Sequence, residues 1–66
     1  MKLEYDPEVD AAYLTLTDSP VADSEEVKPG IVLDYDANQR VVGIEILNLR
    51  RHLPDADLKR LQLELA

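Results

Sequence analysis

Cysteine is absent from the 66 residues, which excludes a disulfide staple and a thiolate metal site. Imidazole is nearly absent as well. His52 is the single histidine, it stands beside Arg50 and Arg51, and no pattern brings a serine nucleophile to it, so a catalytic triad is not supported. Apolar runs are short, Ile31 to Leu33 being typical, whereas a membrane-spanning helix needs roughly 20 such residues. The first residues, MKLEYDPEVD, turn acidic before an apolar stretch forms and so lack the plan of a signal peptide. A cytoplasmic location is the expectation.

Bases are scarce. Seven lysines and arginines face 14 aspartates and glutamates, for a net charge of -7. The imbalance is local: residues 1–36 hold ten acids and two bases, residues 37–66 four acids and five bases. Direct nucleic-acid binding is not expected, because affinity for phosphate backbones rests on cations that release counterions. A basic protein partner suits the acidic half better. The hydrophobic fraction of 45% excludes a disordered chain. A domain of this size buries only about 60% of the surface its unfolded chain exposes. With no covalent staple to compensate, self-association into a homo-oligomer is expected.

What is present is alternation. Met1, Leu3 and Tyr5 alternate with Lys2 and Glu4, the period of a half-buried strand. Asp6-Pro7 ends it with turn chemistry, Pro7 presetting φ and Asp6 capping the turn. A second strand runs from about Ala11 to Thr17, with Ala12, Leu14 and Leu16 inward and Tyr13, Thr15 and Thr17 on the exposed face. The acidic stretch at residues 23–27 reads as an edge strand guarded by charge. Pro29-Gly30 turns the chain into a strand at Ile31 to Tyr35, and Val41 to Leu47 is the last strand.

Asn48 suits the N-cap of a short helical turn in LRRH. Beyond Pro54, Leu58, Leu61 and Leu65 recur at helical spacing behind Asp55 and Asp57, which predicts a helix over about 55–65 lying on the sheet. Leu63 points about 140° away from Leu58 on such a helix, which makes it the candidate dimer contact. The expected fold class is α+β: one domain over 1–66, a small antiparallel sheet of four or five strands across about 1–47, then a C-terminal helix packed on one face.

Two stretches invite a metal reading. DYDANQRVVGIE places Asp34, Asp36, Asn38 and Glu45 at positions one, three, five and twelve of a calcium-loop frame. Position six of that frame is Gln39 rather than glycine, and both flanks have strand alternation rather than helix. A hairpin turn through Asp36 to Gln39, with Asn38 or Gln39 in the left-handed region, carries Glu45 away from the ligand position. DPEVD supplies Asp6 and Asp10 but fails the same frame at Ala11 and Thr17. The acidic residues Asp6, Asp10, Asp34 and Asp36 remain the candidate acidic surface or weak divalent-metal site. No cofactor is implied.

Tyr5-Asp6-Pro7 with Asp10-Ala11, Pro29-Gly30 with Asp34, and Val42-Gly43-Ile44-Glu45 together resemble the YuzE-like family of small prokaryotic proteins, a domain of unknown function. The resemblance covers about residues 3–49. Where the family has aspartate-glycine at the hairpin turn, this chain has Asn38-Gln39. The resemblance implies a short domain without an established activity, some of whose members stand in gene neighbourhoods suggestive of toxin and antitoxin pairs. The expected function is thus a non-enzymatic protein-interaction module, an antitoxin-like regulator with an acidic surface. The alternative is a divalent-metal-binding or hydrolytic protein using the carboxylates of the acidic turns.

Overall fold

A computed structural model describes residues 1–66. Five strands, β1 (Lys2–Asp6), β2 (Ala11–Thr15), β3 (Asp23–Lys28), β4 (Ile31–Tyr35) and β5 (Val41–Leu47), precede one short helix, α1 (Leu49–His52). They form one antiparallel sheet in the order β1-β2-β5-β4-β3. Three connections are tight turns. The fourth, residues 16–22, carries the chain from β2 past β5 and β4 to the far edge, tied down by Leu16 N–H to Val42 O at 2.9 Å and Ala22 N–H to Tyr35 O at 2.7 Å.

Each turn has a local cause. Asp6 Oδ1 accepts the Glu8 N–H at 2.9 Å and holds the first. Gly30 closes the β3–β4 turn at φ 83°, a left-handed conformation in which a Cβ would also strike His52 Cε1 at 2.7 Å. In the β4–β5 turn Gln39 takes φ 63°, as the hairpin reading expects, while Asp36 Oδ1 accepts the Asn38 and Arg40 N–H groups at 2.8 and 2.9 Å. These are side-chain substitutes for a backbone turn.

The register divides the sheet into two chemically distinct faces, because directly opposed residues share a side. Leu14 lies opposite both Leu3 and Ile44, and Leu33 also opposes Ile44; Ile46 lies between Ala12 and Ile31. This is the aliphatic face. Across the other run Lys2, Thr15, Gly43, Asp34 and Ser24 in one row, and Glu4, Tyr13, Glu45, Val32 and Glu26 in the next.

The core is thin. Ala12, Val42 and Leu49 are its buried hydrophobic members, and no large side chain is fully enclosed. Leu49 is held in place from across the chain: its N–H donates to Asp10 O at 3.0 Å, and the Arg50 N–H reaches the Asp10 carboxylate at 3.1 and 3.2 Å. Asp10, not Asn48, therefore caps α1. Asn48 stands at the cap position at φ 55° but makes no capping hydrogen bond with its side chain.

The predicted helix over 55–65 does not form; residues 53–66 hold isolated turns and no other regular structure. The Asp57 carboxylate accepts the Lys59 N–H at 3.1 Å, a local bond that competes with helical pairing. An isolated helix of that length is marginal in water without an apolar surface beneath it, and Leu61, Leu63 and Leu65 are 73%, 81% and 90% exposed. The architecture is thus mainly sheet, and its helical part is the single turn at Leu49–His52. No helix is long and apolar enough to cross a membrane.

Candidate functional site

The polar face is organised around Asp34. It is one of the most buried residues in the molecule, at 4% exposure, and burying a carboxylate is costly unless donors surround it. Two hydroxyls from different strands supply them: Tyr13 Oη donates to Asp34 Oδ2 at 2.9 Å and Ser24 Oγ to Oδ1 at 2.5 Å. Tyr13 sits on β2 and Asp34 on β4, with β5 between them. The phenol spans that gap by lying over Gly43, where a Cβ would meet Tyr13 Cζ at 2.9 Å and also strike the hydroxyl. Glycine at position 43 is what lets tyrosine reach aspartate.

Glu45 completes the cluster from the next row, directly opposite both Tyr13 and Val32. Burial, reinforced by the Asp34 carboxylate nearby, holds its proton above the usual glutamate range. The Tyr13 phenol is raised too, first by its hydrogen bond to Asp34 and then by burial. A phenol that keeps its proton remains a donor. The group is a hydroxyl-braced carboxylate, with Tyr13 and Ser24 both donating to Asp34.

The four acidic residues singled out from the sequence do not converge. Asp6 ends β1 and holds its own turn. Asp10, at φ 54°, accepts the Tyr5 hydroxyl at 2.8 Å as well as the α1 amides. Asp34 lies in the sheet between two hydroxyls. Asp36 is bound to Arg40 Nε at 2.9 Å besides its two turn amides, and the Arg40 N–H above all holds its carboxyl below the usual aspartate range. No group of three or more His, Cys, Asp or Glu side chains is arranged to hold a metal ion. Leu63 lies on the irregular tail beside Met1, Leu3, Leu14 and Leu61.

Sequence reasoning missed Tyr13, Ser24 and Gly43. Alternation put Tyr13 on an exposed face, yet it is half-buried. The missing signal was the register: only pairing of β2 with β5 and of β5 with β4 sets Tyr13, Gly43 and Asp34 side by side.

Fold and site together define a small, single-layer antiparallel sheet protein with a carboxylate locked into one face. The chain belongs to the family described as Protein of unknown function (DUF2283), whose model matches residues 2–50. That span includes all five strands and the Asp10–Arg50 cap, and it leaves the tail outside. No curated protein and no solved structure matches the chain.

Proposed function

We propose that the chain is a small non-enzymatic protein-interaction module of the cytoplasm, an antitoxin-like regulator that offers the acidic face of its sheet to a basic protein. The narrower likeness to the YuzE-like family belongs to this reading. The observation that carries it is the distribution of charge over the polar face: Glu4 and Asp6 of β1 and Glu26 of β3 are exposed on it, with Glu45 of β5 half-buried between them, against Lys2 alone among the bases. Lys2 is already engaged with Glu4 at 3.5 Å. A surface of one sign steers and orients a partner of the other.

The divalent-metal reading needs Asp6, Asp10, Asp34 and Asp36 at one point, and each of these accepts hydrogen bonds from its own surroundings instead. The interaction reading is tested by capture of the product of the adjacent gene on the immobilised chain, followed by salt titration. A retained basic protein that elutes as salt rises is the expected result. Salt-insensitive retention, or no retention, overturns the reading.

A further inference from the structure

The two edges of the sheet are built differently. β3, at one edge, carries acids on both of its sides, Asp23 and Glu25 toward the aliphatic face and Glu26 toward the polar one, and its register shifts between Glu26 and Lys28. Charge and irregularity of this kind keep a foreign strand from pairing. β1, at the other edge, pairs with β2 in unbroken register from Lys2 to Asp6, contains no proline, and bears its charges on one side only. A strand with a single neighbour directs the N–H and C=O groups of alternate residues outward, and no backbone hydrogen bond joins residues 1–6 to any segment but β2. The outer edge of β1 is open.

Each side of that edge gives onto a hollow of different chemistry. On the polar side Glu4 and Asp6 stand with Tyr13 and Glu45 around a hollow of about 480 Å³. On the aliphatic side Leu3, itself 46% exposed, lines one of about 320 Å³ with Met1, Leu14, Leu61 and Leu63. The tail contributes side chains here but no backbone bond to β1. A strand laid along β1 continues its alternation, because opposed residues of neighbouring strands share a face. Every second residue then lies beside Glu4 and Asp6, and the residues between lie beside Leu3 and Tyr5. Cations match the first row and aliphatic side chains the second.

We propose that β1 is the docking edge for the basic partner, which adds to the sheet an extended segment of alternating basic and aliphatic residues. This rests on the reading of the acidic face as the surface that meets a basic protein, and it specifies the segment that does so. Main-chain hydrogen bonds to β1 supply affinity, and the two hollows select the alternating side chains.

Titration calorimetry of the intact chain with synthetic peptides of about eight residues tests it. Alternating lysine and valine is compared with the same residues in two blocks, and with alternating glutamate and valine. The alternating lysine peptide is expected to bind about tenfold more tightly than the blocked one, and the glutamate peptide not at all. Hydrogen exchange is expected to slow at the β1 amides when it is added and to stay unchanged at those of β3. Leu3→Lys, which guards the edge with a charge on its aliphatic side, is expected to remove the preference for alternation and leave the blocked peptide's binding as it was. Should Leu3→Lys fail to fold, an alternating peptide N-methylated throughout, which keeps its charges but donates no backbone hydrogen bond, takes its place and is expected to bind no better than the blocked one. Equal binding of the two lysine peptides overturns strand addition and leaves the acidic-face reading standing. Binding of neither overturns it too, and capture of the adjacent gene's product then decides the acidic-face reading by itself. So does protection that falls on β3, or that is present at the outward β1 amides before any peptide is added, since the tail or a second copy then holds the edge.

Discussion

On one face of the sheet Tyr13 and Ser24 close around Asp34, and no buried side-chain nitrogen or oxygen lacks a hydrogen-bond partner. On the other, Leu14, Leu33 and Ile44 are not fully buried. The difference shows where each kind of interaction can be completed. Hydrogen bonds are directional and short, so a few side chains from adjacent strands satisfy one another within a single layer. Apolar burial needs area, and one layer of a five-stranded sheet cannot cover itself. Directional bonding is thus completed on the polar side, while apolar burial on the aliphatic side stays partial.

The largest effect that breaks this contrast is expected from Gly43→Val. Valine favours strands, so a sheet indifferent to the Tyr13 bridge would gain stability. Here the new side chain displaces the phenol and leaves Asp34 short of a donor, and a loss of about 2–4 kcal/mol is expected from overpacking and an unsatisfied buried group. Urea denaturation measures it, and an unchanged or raised midpoint would remove the bridge from the account. A smaller loss is expected from Tyr13→Phe. It keeps the ring over Gly43 and deletes one donor, at about 1 kcal/mol, without altering the mass seen by light scattering.

The smallest effect is a pH dependence with two opposed components. Asp36 titrates below its usual range when folded, so its contribution is present above the unfolded value and is lost as pH falls through the folded one. Glu45 titrates above its usual range, so its contribution is complete below the unfolded value and is lost as pH rises through the folded one. Stability is therefore expected to decline on both sides of the mildly acidic range. Glu45→Gln should abolish only the decline on the higher-pH side, as followed by urea midpoints across the carboxylate range. A variant that keeps that decline would locate its source elsewhere.

Much of the fold is legible residue by residue. Val41 to Leu47 and Ile31 to Tyr35 are strands as the alternation predicts, and Gly30 and Gln39 take positive φ in the turns that Pro29-Gly30 and DANQ imply. The residues 23–28 lie at the sheet edge, as their charge suggests. These features depend on near neighbours, and near neighbours are written consecutively. The tail is the instructive failure. Leu58, Leu61 and Leu65 have the period of an amphipathic helix, but a period states only which side would be buried if a surface were there.

By itself, then, the sequence determined the strands, their turns, and which residues of each strand share a side, because backbone sterics and a two-residue period act locally. Only the tertiary structure decided that β5 lies between β2 and β4, so that Tyr13 crosses Gly43 to Asp34, and that Asp10 caps a helix 40 residues further along. Those pairings join strands and turns distant in the chain, and their selection depends on the combined register of the whole sheet rather than on any one segment.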